Sequence, residues 1–239
     1  MANAGMIING ENTLDKYGLM LLADYTISSP KIKENRISVP GANGSINISS
    51  PDVNGNPIYE DVEGDFNLFK SVSDAELSDL REILLGKYNG RTVQVILPFD
   101  PTHYYEGTLT FGSMSQFNSG KIPLHLKAFP YKFEIADSLG GWLWDSFSFE
   151  NGIARDYSEL FVDEEAEYTI IGSPLPVSPT FIVEVYMNET ITMQLDGKSY
   201  EFETGTYTIP GLFLKNKPYT MRLSGVGAVS AQFRGGVQR

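Results

Sequence analysis

The sequence predicts a mainly β protein with a single α-helix. Three observations carry this. Apolar residues alternate with polar ones over many short runs, the period of a half-buried strand. Turn-forming residues punctuate those runs, with 23 glycines and 13 prolines in 239 residues. Only one segment, Ser73 to Leu85, carries a helical period with a start signal and a stop signal.

Taken in order, Leu19 to Ile27 is apolar enough for a buried strand. Val39-Pro40-Gly41 followed by Asn43-Gly44 is a turn signal. Ser45 to Ser49 then places Ile46 and Ile48 two apart, on one strand face. Asn54-Gly55-Asn56-Pro57 predicts another turn, and Ile58 to Lys70 an extended segment. Ser73 is a good N-cap and Glu76, three residues later, completes a capping box. Asp74 and Glu76 suit the positive end of the helix dipole. Leu77, Leu80 and Leu84 share one face, and Gly86 is placed as the stop. Val93, Val95 and Leu97 alternate in the next strand, and Pro98 to Pro101 predicts a turn. Tyr104 to Phe111 and Ile122 to Phe129 predict two more strands. Gly140-Gly141 breaks the pattern and sets a domain boundary, giving domains 1–137 and 138–239.

The second half is more plainly β. Phe181 to Met187 and Thr190 to Leu195 alternate, Asp196-Gly197 follows, and Ser199 to Glu203 alternates again. Strand, Asp-Gly, strand is a hairpin signal with a mechanism, because a type I′ turn needs positive φ at both central residues. Tyr207 to Ile209, Leu212 to Leu214, Tyr219 to Leu223 and Val229 to Phe233 complete a set of short strands suggesting a sandwich or jelly roll.

Composition excludes several function classes. The 18 basic and 30 acidic residues give a net charge of −12, shared as −6 in each half. Such a chain is a poor partner for nucleic-acid phosphates or for an anionic membrane surface, both of which want clustered Lys and Arg. Cysteine is absent, which removes disulfides, thiol nucleophiles and Cys-ligated metals. Met1 to Gly10 lacks the basic and apolar regions of a signal peptide, and Gly18 to Ala23 is too short to span a bilayer. These features predict a soluble chain made in a cytoplasm.

Candidate chemistry is sparse. His103, in the turn after Pro101, and His125, in phase with the polar side of its strand, each read as structural. There is no G-x-S-x-G, H-E-x-x-H or G-x-x-x-x-G-K pattern. Gly225-Val226-Gly227 lacks the third glycine of a dinucleotide fingerprint and lies between two strand runs. Asp52, Asn54, Asn56 and Glu63 match positions 1, 3, 5 and 12 of a calcium loop, but Pro57 sits where glycine is needed. An Asn-Gly turn is the better reading. Asp163-Glu164-Glu165 with Glu167 reads as a solvated acidic loop rather than a catalytic pair. Trp142, Trp144, Phe147 and Phe149 suit a core or domain interface better than a sugar platform. No catalytic, cofactor-binding or metal-binding set is assigned, and no cofactor is expected.

The order of several short motifs resembles a known family. These are Met6-Ile7-Ile8-Asn9-Gly10, Asn12-Thr13-Leu14, Tyr17-Gly18, Asp24-Tyr25, Val39-Pro40-Gly41 and Asn43-Gly44-Ser45. Leu85-Gly86-Lys87, Tyr104-Tyr105-Glu106-Gly107, Ala128-Phe129-Pro130-Tyr131-Lys132 and Phe233-Arg234-Gly235-Gly236 follow. In this order they resemble the siphophage distal tail proteins (Dit). The signature positions are Asn9, Gly10, Tyr17, Gly18, Val39, Pro40, Gly41, Gly44, Pro130 and Tyr131. The resemblance implies an N-terminal β-sandwich with one helix that forms a homo-hexameric ring. It implies a galectin-like or carbohydrate-module-like C-terminal β-sandwich on the ring periphery. It places the chain at the virion tail tip, between the tail tube protein and the tail-tip or tail-associated lysin protein. Receptor-binding proteins are further candidates for docking to the outer domains. No membrane and no sequence-specific nucleic acid is expected, and a negative ring would let DNA slide through its lumen.

Two other function classes are set beside this one. A glycan-binding module that assists host-surface adsorption draws on the Trp and Tyr residues of the second half. A cell-wall glycosidase or peptidase lacks any nucleophile–base arrangement in the sequence.

Overall fold

The computed structural model describes residues 5–41, 43–49, 51, 57–113, 120–140 and 155–238. The early elements are short: β1 (Ile7–Ile8), β2 (Glu11–Asn12), α1 (Thr13–Tyr17), β3 (Met20–Leu21), β4 (Thr26–Ile27), β5 (Arg36–Ser38) and β6 (Ser45–Asn47). Longer ones follow: β7 (Val62–Phe69), α2 (Asp74–Tyr88), β8 (Arg91–Leu97), β9 (Asp100–Phe111), β10 (Lys121–Ala128) and β11 (Tyr131–Glu134). The remainder is β12 (Leu160–Ile171), β13 (Thr180–Leu195), β14 (Lys198–Phe202), β15 (Gly205–Thr208), β16 (Pro218–Gln232) and β17 (Gly236–Gln238). The protein is mainly β, as the alternation predicts.

Contacts divide the chain into two compact units. One is Met1–Phe99 with Tyr105–Lys132, and the other is Asp100–Tyr104 with Phe133–Gln238.

The first unit is built on an antiparallel sheet in which strands run β2-β1-β8-β9-β10-β7-β3, with β4 also on β7. Alternation sets its register. Val62, Phe66 and Leu68 of β7 face Ala128, Leu124 and Ile122 of β10, all buried. Glu63, Asp65 and Asn67 face Lys127, His125 and Pro123 on the other side. A one-residue slip would exchange these faces. Leu77, Leu84 and Tyr88 of α2 join the same core.

Three expectations are corrected in this unit. Leu19 to Ile27 is not one buried strand. Met20↔Phe69 and Thr26↔Asp65 show two pieces on the same partner strand, separated by four residues opposite two. The extra residues carry Asp24 out to Asn67 and Lys121, and set Tyr25 against Phe66. The helix does not stop at Gly86 but runs to Tyr88 and is capped at Asn89. Burial of Tyr88 in the core draws the chain through Gly86, whose missing side chain faces open space. The glycine with positive φ is Gly90, at 70°. A second helix, the five-residue α1, also goes beyond the single one expected. Its N-cap is Asn12, whose side chain accepts from the Leu14 amide, and its C-cap is left-handed Gly18.

The second unit holds a sheet of order β12-β16-β13-β14, with β15 also on β13. Asp196 (φ 51°) and Gly197 (φ 76°) turn β13 into β14, the expected hairpin. Strand runs that were expected as separate are joined. Phe181 to Met187 and Thr190 to Leu195 lie in the single strand β13, which carries register shifts between Val185 and Thr192. Tyr219 to Leu223 and most of Val229 to Phe233 lie in β16. Gly225-Val226-Gly227 is therefore inside a strand, not between strands. A Cβ on Gly227 would stand 2.1 Å from the Glu184 carbonyl oxygen, so only glycine admits this approach. Gly227→Ala should destabilise the protein by about 1–3 kcal/mol, since backbone must move to make room. A thermal melt within a degree of wild type would contradict this. Leu212 to Leu214 forms no strand, and only a single bridge joins Leu214 to Val177. The acidic run Asp163 to Glu167 is on β12, not in a loop.

Candidate assembly surface

The expected signature residues fall into four local groups. Asn9 (φ 50°) and Gly10 (φ 81°) make the two-residue turn of the β1–β2 hairpin. The Asn9 backbone N–H donates to the Gln94 carbonyl, and its side chain accepts from the Gln94 amide, tying the turn to β8. Asn-Gly between apolar and polar runs was a readable hairpin signal that sequence reasoning did not use. Tyr17 and Gly18 close α1. Pro130 and Tyr131 lie after β10, where the Tyr131 ring packs on Phe129 and edge-on to Tyr59.

The first two groups meet at one carboxylate. Glu11 accepts hydrogen bonds from Lys16 at 2.7 Å, Lys87 at 2.5 Å, Tyr88 at 2.7 Å and Tyr17 at 3.1 Å. This knot fastens the N-terminal hairpin to the end of α2. The bond from Lys16, then those from Lys87 and Tyr88, hold the Glu11 carboxyl far below its ordinary value of 4.5. Burial first, and then the bond to Glu11, push the Tyr88 hydroxyl up. A depressed carboxyl stabilises the fold fully above the unfolded value and loses that contribution as pH falls through the folded value. The melting temperature of wild type should therefore exceed that of Glu11→Gln at pH 6, and the gap should narrow below about pH 4. A gap that stays constant from pH 7 to pH 3 would contradict it.

Val39, Pro40, Gly41 and Gly44, the fourth group, belong to a different kind of feature. Among the described residues, strands β5 and β6 pair only with each other, in register Arg36↔Asn47, Ile37↔Ile46 and Ser38↔Ser45. Gly41 (φ 83°) and Gly44 (φ 81°) shape the turn between them. With side chains alternating, Ile37, Val39, Ile46 and Ile48 share one face, while Arg36, Ser38, Ser45 and Asn47 share the other. The apolar face is uncovered: Ile37, Val39, Ile46 and Ile48 are 51%, 39%, 58% and 50% exposed. A free two-stranded ribbon is marginal in water. These side chains expose on the order of 300 Å² of apolar surface, a patch size that marks interaction sites on monomers.

The remaining candidates do not build a reaction centre among the described residues. His103 lies on β9 rather than in a turn, with Nδ1 2.9 Å from both Asp100 and Thr102. His125 faces the polar side as expected, 2.9 Å from the cross-strand Asp65. Glu167 pairs with Arg222 at 2.9 Å across β12 and β16. Arg222 and Gln194 line two shallow cavities of about 340 and 530 Å³, and none of the residues lining either is aromatic. Asp52, Asn54, Asn56, Trp142, Trp144, Phe147 and Phe149 lie outside the described residues. Among those described, no helix is long and apolar enough to cross a membrane.

Comparison with known structures places this fold. The chain is similar to the crystal structure of the SPP1 Dit protein (gp 19.1), described as a paradigm of hub adsorption apparatus in Gram-positive infecting phages. The TM-score is 0.56, the sequence identity is 15%, and the likeness covers 98% of each chain. No family model and no curated protein matches the sequence.

Proposed function

We propose that this protein is a structural component of a long, noncontractile phage tail, the distal hub at the virion tail tip. Six copies close into a ring through residues 1–137. Residues 138–239 form a galectin-like or carbohydrate-module-like β-sandwich on the periphery. The ring joins the tail tube protein to the tail-tip or tail-associated lysin protein, and its outer domains dock receptor-binding proteins. The work is assembly and not turnover, so the protein is not an enzyme. The observation that carries this reading is the fold likeness to a hub adsorption protein over 98% of both chains. The uncovered ribbon supports it, because a ring needs a heterologous contact whose rotation closes on itself. Negative-stain electron microscopy of the purified protein should give annular particles with six-fold averages. Particles with no central opening, or with another symmetry, would overturn the hexameric hub.

The glycan-binding alternative finds less support. The cavities around Arg222 and Gln194 offer hydrogen-bonding groups but no ring on which a sugar face can stack. A glycan array with the full chain tests it, and binding at millimolar concentration or tighter would bring it forward.

A further inference from the structure

We infer that the second unit carries a docking face at a crease in its sheet, and that this face takes a basic partner protein, not another copy of this chain, through an apolar anchor. The inference rests on the docking role proposed for residues 138–239 and names the surface and the chemistry it selects.

Three neighbouring strands break their regular pairing at one level. On β12, Glu164 has a φ of 68° and lies opposite Gly225 of β16, whose φ is 130°. A glutamate in the left-handed region is uncommon. On β13, Val185 pairs with Gly227 and Met187 with Val226, so Tyr186 is an extra residue. Thr192 then pairs with Ser224, which leaves residues 188–191 opposite Gly225 alone. Such irregularities interrupt the ladder and re-aim the side chains beside them.

The side chains beside the crease are large and apolar. Cross-strand partners share a face. Phe161, Ala228 and Glu184 make one row across the three strands, and Asp163, Val226 and Met187 make the next. Val229 and Ala231 of β16 are buried in the core, so Val226 and Ala228 lie on the opposite, outer face. Phe161, Tyr186 and Met187 are 52%, 57% and 69% exposed. Together they expose on the order of 350 Å², a patch size that marks interaction sites on monomers. Aromatic and methionine side chains are enriched at interface centres, and methionine adapts its shape to a partner.

Charge decides the occupant. Asp163, Glu165 and Glu184 flank the patch, are exposed, and have no ion-pair partner among the described residues. Glu167, further along β12, is held by Arg222. An apolar centre with unpaired carboxylates beside it selects a surface that sets Lys or Arg next to an apolar anchor, and repels an acidic one. This chain carries a net charge of −12, so a second copy is a poor match.

The test uses the full chain and a random dodecapeptide library displayed on yeast. Wild type should enrich peptides in which an aromatic residue or leucine is flanked by Lys or Arg. Synthetic copies of those peptides should bind Phe161→Ser/Met187→Ser at least tenfold more weakly. Asp163→Lys/Glu184→Lys should reverse the selection toward acidic flanks. Circular dichroism checks that each variant stays folded. No enriched class, or peptides that bind both variants as they bind wild type, overturns the docking face. A loss of oligomer mass by light scattering in Phe161→Ser/Met187→Ser overturns it too, because the occupant is then a second copy. A hexameric wild type with a failed selection leaves the ring reading standing without this face. A monomeric wild type with the expected selection removes the ring and keeps the face.

Discussion

Arg155→Ala lowers the stability of the protein by about 3–5 kcal/mol, the cost of leaving a buried charge without its partner. Arg155 is 3% exposed. Its guanidinium donates from Nη1 to Glu134, from Nε to the Ile171 carbonyl at 3.1 Å and from Nη2 to the Gly172 carbonyl at 3.0 Å. The Phe233 ring lies beneath it, 5.7 Å from ring centre to guanidinium carbon. One side chain thus joins β11, the end of β12 and the segment before β17. Alanine removes three donors at once and strands the Glu134 carboxylate with two carbonyls. The melting temperature should fall by roughly 10 °C or more. Lysine keeps the charge but not the planar fork, so Arg155→Lys recovers only part of the loss. Arg155→Met/Glu134→Leu should be more stable than Arg155→Ala alone, because the orphaned carboxylate goes too. A shift below about 3 °C for Arg155→Ala would contradict this account.

Leu84→Ala costs about 2–5 kcal/mol, while Leu80→Ala costs clearly less. Both leucines belong to the face read from the sequence as buried. The structure buries Leu77, Leu84 and Tyr88 and leaves Leu80 only half-buried. The true stripe follows positions 77, 84 and 88, with Leu80 at its margin. Alanine at 84 opens a cavity among fully packed neighbours, whereas at 80 water and nearby side chains can fill the space. Chemical denaturation of the two variants measures the difference. Equal losses would mean that the helix is rotated from the position described.

What was legible in the sequence was local chemistry. Ser73 caps α2, its hydroxyl accepting from the Glu76 amide, as the spacing predicts. The Glu76 side chain reaches Lys70 instead of completing the box. Asp196-Gly197 turned where it had to, and Ile122, Leu124 and Leu126 faced inward by strict alternation. What was not legible was decided by partners distant in sequence. Gly86 looks like a helix stop until Tyr88 is seen to find both a core and the Glu11 carboxylate. Gly225 and Gly227 look like loop residues until β13 is seen pressing on them through its irregular register. The acidic run at Asp163 looks solvated, and it is, but it is exposed along a paired strand rather than in a loop. The candidate assembly surface was half legible. Ile46 and Ile48 declared a strand face, and nothing local said that this face would lack a sheet to lie on.

The central claim is that six copies close into a ring. Light scattering after gel filtration, at several protein concentrations, tests it most directly. With a chain of 26.5 kDa, the account predicts a species of about 159 kDa. A mass of 26.5 kDa that does not change with concentration would contradict it.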